Sequence, residues 1–574
     1  MKDHIFLKHL DITLEQAIEL LYLLKAWKVL SLSKIEEKDL EYKTFFGQKI
    51  EIKKMLDIFK KLAKKYKVFQ LFSDQNINLT KIDEDILVKL YNSIESNKWD
   101  IPVNDAFYSQ KSIHDFSVSN QVAALGVKLL NSECNEIYVP FTNGFSYVYA
   151  TEAKIYAETQ NTRAAFIAEL INIIDDKNIE FIVNNPLESP AFINPDAPHL
   201  LRQFDAVLSF PPIGLKSKLD ISNDKFNRFK IHKGSNLDVA YFEHILAQTN
   251  IRAVVLMPVG FSYRSGVEED SRKYLIKKNL LEAVIQLPPN LHSATSIETT
   301  FFVINKRKND TRVFFLSLKD DKFLTRAGRK VILNNLDNIV EIYKHRSELE
   351  NISALVSNET IEMNGCSLAI DRYIISQEAK ELQEILLSYK TIALQEIAEV
   401  RRSQLFKDEG EGKKVYELSP SDFAQAGYTK EGGKLKKIGT QSNKYETYKL
   451  MPFDVLVSTK GTIGKVAIIG EISKPMLASQ ASQVIRLKDK ESAIELYMFF
   501  KSDIGQAMLK QLVAGTAMPQ IATNEIKKLA IPILSKSEKQ QVLLNFNHEI
   551  KLYNEIKKLQ ETIKQIHSNF LGEK

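Results

Sequence analysis

The sequence predicts an α/β fold: a Rossmann-like, doubly wound sheet preceded by a helical domain and followed by a β-rich unit and a long C-terminal helix. Three observations predict it. Between about residues 106 and 318, short apolar runs alternate with helix-length segments, the pattern of a mainly parallel sheet covered on both faces. One run, Phe204-Asp205-Ala206-Val207-Leu208-Ser209, stops on Phe210-Pro211-Pro212-Ile213-Gly214. Proline cannot donate to a sheet ladder, so the strand ends there, and ligands of such sheets bind at the carboxyl ends of strands. Beyond residue 390, glycines at Gly410, Gly412, Gly432, Gly433, Gly461 and Gly464 mark the loops of a β-rich unit.

Taken in order, residues 1–105 read as a helical domain. Leu10, Leu14, Ala17, Leu20, Leu21, Leu24 and Trp27 recur mostly at three- and four-residue steps, as do apolar positions over 50–62 and 86–94. Lysines fill the polar faces between them, as a solvated surface would. Residues 106–385 form the α/β domain. Its strands are placed at 136–139, 180–183, 204–209, 252–258, 281–287, 299–305 and 312–318. Its helices are placed at 163–174, 239–248 and 268–278. A charged helical stretch closes it, over 335–349 and 377–389. Residues 386–535 are the β-rich domain. Residues 536–574 are one helix over 538–570, with Ser537 placed to cap it.

Composition bounds the class. The 574 residues are 44% hydrophobic and 26% charged, ordinary for a globular chain with several cores. A net charge of +6 is compatible with a nucleic-acid partner without requiring one. Cys134 and Cys366 are the two cysteines, which excludes a disulfide framework and a cysteine zinc site. No run approaches the roughly 18 apolar residues that span a bilayer, and Met1-Lys2-Asp3-His4 leads into a helical pattern without a signal-peptide core. The expected location is cytoplasmic.

The stretch around Pro211 resembles the catalytic signature of amino-group DNA methyltransferases, which runs Asp, apolar strand, Asn-Pro-Pro, aromatic. An Asn carbonyl and a proline carbonyl accept the two hydrogens of adenine N6 and localise its lone pair, and the aromatic stacks on the flipped base. Here Phe210 and Ile213 hold the Asn and aromatic slots around Pro211 and Pro212. Neither performs that chemistry, and losing one transition-state partner costs on the order of a hundredfold in rate. Ser209 lies one residue early, so the strand points it to the opposite face.

Further stretches extend the likeness. They are Ser235-Asn236-Leu237-Asp238, residues 253–261 and 281–288, Thr299-Thr300-Phe301-Phe302, and Asn364 through Arg372-Tyr373. As an ordered series over roughly residues 1–380, they resemble the modification subunit of type I restriction-modification systems. That resemblance implies S-adenosylmethionine as cofactor, on an Asp-Pro-x-x-Gly-x-Gly turn after the first strand. The chain has Val139-Pro140-Phe141-Thr142-Asn143-Gly144-Phe145 at that place, so the acid and both glycines are replaced. The upstream Phe-Tyr-Thr-Pro clamp stands as Phe107-Tyr108-Ser109-Gln110, and a later acid is matched by Asn185. The implied cofactor positions are Val139, Pro140, Asn143, Phe145, Glu158 and Asp205, with Glu158 on the ribose hydroxyls.

Leu394-Gln395-Glu396-Ile397-Ala398, residues 450–464, Gly515-Thr516-Ala517-Met518-Pro519-Gln520-Ile521 and Ile531-Pro532-Ile533 resemble half of a type I specificity subunit, a target-recognition domain with a long helix. This implies a double-stranded DNA partner. Lys434, Lys436, Lys437, Lys444, Lys460 and Lys465 are expected on phosphates, and Gln441, Asn443, Ser458 and Thr459 near base edges. Leu552, Ile556, Leu559, Ile563, Ile566 and Phe570 form an apolar seam on the last helix. It is expected to join a second copy or other restriction-modification subunits. The resulting expectation is a sequence-specific DNA-binding protein of a restriction-modification or phage-defence system with an impaired adenine-N6 methyltransferase fold. The alternative is an active enzyme with an atypical site.

Overall fold

The computed structural model describes residues 13–45, 51–73, 84–95, 101–108, 118–130, 134–142, 144–220, 224–291, 297–328, 330–513 and 520–568. The chain divides into two compact units, Met1–Ile370 and Asp371–Lys574. This differs from the boundary expected at 385/386. Helix Gln377–Leu387 falls in the second unit, where the Gln383 amide donates to Gln511 Oε1 at 2.9 Å. No helix among the described residues is long and apolar enough to cross a membrane.

In the first unit, helices Leu14–Ser33, Ile52–Ala63, Lys67–Ser73 and Glu84–Glu95 gather around Trp27. The Leu14–Ser33 helix starts at a capping box: Thr13 Oγ1 accepts from the Gln16 amide and Gln16 Oε1 from the Thr13 amide. Trp27 is fully buried, donates to the Leu40 carbonyl at 2.8 Å, and meets Tyr42, Phe45 and Phe59 edge-on. Helix Ile52–Ala63 buries Met55, Ile58, Phe59 and Leu62. These helices share one hydrophobic core with the sheet that follows, and Arg163 Nε donates to Glu19 Oε1 at 2.7 Å across the join. The helical segment expected as residues 1–105 is therefore packed into the α/β unit.

The sheet has nine strands. They are β1 (Glu136–Pro140), β2 (Lys154–Thr159), β3 (Ile179–Val183), β4 (Phe204–Ser209), β5 (Thr249–Pro258), β6 (Leu281–Gln286), β7 (Thr299–Asn305), β8 (Arg312–Ser317) and, after the separate hairpin β9 (Leu324–Ala327) and β10 (Lys330–Leu333), β11 (Ser353–Ser357). Their order is β11-β8-β6-β7-β5-β4-β1-β2-β3. Strands β3, β2, β1, β4 and β5 run parallel, while β7 lies antiparallel between β5 and β6. The chain moves outward from β1 to β3 and returns to β4 on the other side of β1. That reversal makes a crevice at the carboxyl ends of β1 and β4, the usual ligand position in such sheets.

The second unit holds β12 (Thr391–Ala393), β13 (Glu399–Arg402), β14 (Lys413–Leu418), β15 (Tyr428–Thr429), β16 (Lys434–Ile438), β17 (Val455–Ser458), β18 (Val466–Ile469), β19 (Met476–Ala478), β20 (Ser482–Arg486) and β21 (Ala530–Pro532). They form sheets ordered β13-β20-β17-β18-β15 and β16-β14-β19, with β12 paired to β21. The last helix spans Lys536–Ser568. Ser535, not Ser537, caps it: Ser535 Oγ accepts from the Glu538 amide and Glu538 Oε2 from the Ser535 amide. Phe546, 1% exposed, anchors the helix between Tyr428 and Tyr497, and Glu549 pairs with Lys501.

Candidate functional site

The turn leaving β1 is closed by its own side chains. Phe141 sits at φ +62°, in the left-handed region that a side chain rarely takes. Its amide donates to the Glu158 carbonyl at 2.9 Å, and its ring packs on Tyr241 at 4.6 Å and His244 at 5.3 Å. Thr142 Oγ1 meets Tyr147 Oη at 2.9 Å. Phe145 is fully buried against Tyr147 and Phe181, and its amide donates to Asn104 Oδ1 at 2.9 Å. Val139 points into the core, and Asn143 lies outside the described residues, as do Ser109 and Gln110 of the clamp.

Glu158 ends in the same crevice, paired in register with Pro140, and is fully buried. Burial raises its pKa, while the hydrogen bonds it accepts from the Tyr138 hydroxyl and, at 2.9 Å, the Ala191 amide work the other way. Tyr138 Oη also lies 2.9 Å from His244 Nε2, and His244 Nδ1 lies 2.7 Å from Arg228 Nη1. A guanidinium only donates, so Nδ1 accepts, Nε2 carries the proton toward Tyr138, and the tyrosine proton goes to Glu158. Arg228 is further held by the Pro186 and Leu187 carbonyls and by Asp224 at 2.9 Å. Burial, then Arg228, push the His244 pKa well below its usual value. Sequence reasoning did not single out Tyr138, His244 or Arg228. Strand alternation was the available signal, since it puts Tyr138 and Pro140 on one face of β1.

At the end of β4, Phe210 is 7% exposed and turned into the core, its ring 6.2 Å from Tyr147 and 6.3 Å from Phe301. Gly126 makes room for it, since a Cβ there would stand 3.3 Å from the Phe210 ring tip. Ser209 Oγ donates instead to the Pro140 carbonyl at 3.1 Å, tying β4 to β1. Pro211 is buried, Pro212 and Ile213 are half-buried, and the Gly214 amide reaches Asp238 Oδ1 at 3.3 Å. Asp238 is buried, which raises its pKa. The structure thus brings Pro140, Phe145, Glu158, Phe210 and Pro211 to one end of the sheet. Asp205 is not among them. It is the second residue of β4, exposed, and accepts from Asn250 Nδ2 at 2.5 Å. At about 3.3 Å per residue, it lies more than 10 Å down the strand from the crevice.

The expected DNA lysines do not share one environment. Lys436 is buried, pairs with Glu417 at 2.8 Å and donates to the Phe406 carbonyl at 2.7 Å, so it faces the protein interior rather than a duplex. Lys434, Lys444 and Lys465 are exposed, and Lys437 and Lys460 are half-exposed. Ser458 and Thr459 are buried, Ser458 Oγ accepting from the Lys465 amide. Gln441 is bonded to Lys407 and Glu409, and Asn443 is exposed.

Two family models match this chain, the N-6 DNA Methylase family over residues 146–382 and the Type I restriction modification DNA specificity domain over residues 388–566. The chain joins an N-6 DNA methylase domain to a type I specificity domain. Among its relatives, the methylase subunit of the type I restriction enzyme MpnII of Mycoplasma pneumoniae is 31% identical over 32% of this chain and 35% of that protein. The MjaVII methylase subunit of Methanocaldococcus jannaschii is 24% identical over 60% of this chain and 66% of its own length. The chain thus spans about a third to two thirds of these curated relatives. Among solved structures, a type I methyltransferase subunit from Streptococcus thermophilus superposes with a TM-score of 0.50 at 18% identity, over 63% of this chain and 81% of that one. This likeness extends to the fold of the methylase domain, whose β1–β4 crevice holds the residues described above.

Proposed function

We propose that this chain is a DNA-recognition subunit of a restriction-modification system whose methylase domain has lost its chemistry. It would bind duplex DNA sequence-specifically through its specificity domain, serving restriction or phage defence as part of such an assembly. The supporting observation is the filled crevice. Phe141 and Phe145 occupy the turn that would approach S-adenosylmethionine, and both carboxylate oxygens of Glu158 are engaged by the protein itself. The residues present do not fit the cofactor: admitting it would expose Phe141 and break the Tyr138–Glu158 bond. The base site lacks its acceptor independently, since Phe210 carries none and faces the core. The rival reading, an active adenine-N6 methyltransferase, draws on the match to the N-6 DNA Methylase family and on Pro211 and Pro212. Calorimetry with S-adenosylmethionine, followed by labelled methyl transfer to mixed DNA, separates the two. The expected result is neither binding at micromolar concentration nor label. Binding together with label on adenine would establish the enzyme and overturn the impaired reading.

The same proposal covers assembly. The distal part of the last helix carries Leu552, Ile556, Leu559, Ile563 and Ile566 on its surface, each roughly half to two-thirds exposed, and Phe570 lies outside the described residues. A second copy or another subunit of the system is the proposed cover.

A further inference from the structure

The small sheet β16-β14-β19 of the specificity domain has two unlike faces. Strand register puts Val415 opposite Lys436 and Glu417 opposite Lys434 on one face, and Lys414 opposite Lys437 and Tyr416 opposite Leu435 on the other. The first face is internal where Val415, Ile438 and Leu477 pack with Phe406 and Tyr445, and there Lys436 is neutralised by Glu417. The second face is different. Its Leu418 end packs into a core, while its far end leaves Lys414 and Leu435 exposed and Lys437 half-exposed. Lys474 lies beside it, exposed, with its ammonium 5.4 Å from the Tyr416 ring.

Among the described residues, none of Lys414, Lys437 and Lys474 has a carboxylate at ion-pair distance. Asp408 accepts from the Lys437 and Gly410 amides, which, with the Lys434 and Lys437 charges, hold its pKa low. Like charges directly opposite on neighbouring strands are unfavourable for the fold. Lys414 and Lys437 form such a pair with no carboxylate at ion-pair distance among the described residues, so the arrangement is suited to an external polyanion. A duplex, with one negative charge per about 1.7 Å of axis, is the polyanion that the specificity domain implies.

We propose that this face is where the specificity domain holds the DNA backbone, with Lys414, Lys437 and Lys474 on phosphates and Tyr416 seating the Lys474 stem. The inference rests on the DNA-recognition reading above. It moves the contact to Lys414 and Lys474, which the spacing of the lysines did not single out, and removes Lys436. Backbone contacts set affinity and register without carrying sequence information, so their loss should weaken all duplexes alike.

The test uses the full chain and a duplex bearing whatever motif selection from a random library enriches. The K414Q/K437Q/K474Q variant should bind that duplex and an unrelated one at least about tenfold more weakly at moderate salt. Its log-log salt slope should fall by about 2 to 3. Its melting temperature without DNA should match or exceed the parent's, since a repulsive pair is gone. K510Q/K528Q, on exposed lysines of the same domain outside this sheet, should bind within about twofold of the parent. The single substitution K474E, outside the strand ladder, is the variant least able to disturb folding and should lower affinity on its own. If the parent enriches no motif, the recognition reading fails. If the parent does so while the triple variant and K474E bind as it does, the recognition reading stands and this face is wrong.

Discussion

His244 is neutral because of where it sits, and that has a measurable consequence. The ring is enclosed, with the Arg228 guanidinium on one nitrogen and the Tyr138 hydroxyl on the other. An unfolded chain protonates histidine below about pH 6.5, whereas the folded ring stays neutral well below that. The unfolded state then binds the extra proton, so stability falls as pH drops below 6.5, by about 1.4 kcal/mol per pH unit for one such ring. His232, also pushed down by burial, adds the same sign. Glu158, pushed up by burial, has the opposite sign, losing stability as pH rises from its unfolded pKa toward its folded one. Trp27 is fully buried in the first unit, so its emission follows that unit's denaturation. Between pH 6.5 and 5.5, H244N should show a flatter dependence of stability on pH than the parent. Equal slopes would mean that the folded ring takes up the proton. None of this was legible in the sequence beyond Glu158. A hydrogen-bond chain needs three-dimensional neighbours, and Tyr138, Arg228 and His244 come from separate stretches that share no spacing rule.

At the scale of elements, legibility followed periodicity. The strands expected at 136–139, 204–209 and 299–305 lie within β1, β4 and β7, because short, mainly apolar runs of strand length leave one backbone solution. Strand β4 was legible, but the direction of Phe210 at its end was not. Its course inward depends on Gly126, more than eighty residues earlier, leaving space for a ring. The long helix shows the converse. Its seam was legible, and the structure leaves Leu559 64% and Ile566 65% exposed. Phe546 and the Lys501–Glu549 pair fix only the proximal part, and a helical stretch without tertiary contacts is marginal in water. Covering each seam side chain contributes about 1.5–3 kcal/mol. The parent is therefore expected to associate, and L559E/I563E, which puts charge in the seam, to be monomeric by light scattering. A monomeric parent, with and without DNA, would leave this face as a solvent-exposed stripe. Amide exchange should agree, with protection over residues 552–566 in the parent and its loss in the variant.

At the scale of the molecule, the two units divide the work that the proposal assigns to it. The specificity domain has its own core, containing Val455, Ile468, Tyr497 and Phe546, and the DNA face proposed above belongs to that domain. Repairing the base site should therefore change neither DNA affinity nor chemistry. F210N/I213F restores an amide acceptor and a stacking ring where the signature asks for them. It leaves Phe141 against Tyr241 and His244, Phe145 in the core, and Glu158 bonded to Tyr138. The variant should also melt lower. Phe210 fills space against Tyr147 and Phe301, and removing a buried ring costs about 3–5 kcal/mol when truncated to alanine, with an asparagine adding a buried amide to satisfy. The expected outcome is a destabilised protein that selects the same DNA motif as the parent and transfers no label from S-adenosylmethionine. Transfer by F210N/I213F but not by the parent would show that the cofactor enters despite the filled turn. The lost chemistry would then lie in the base site alone.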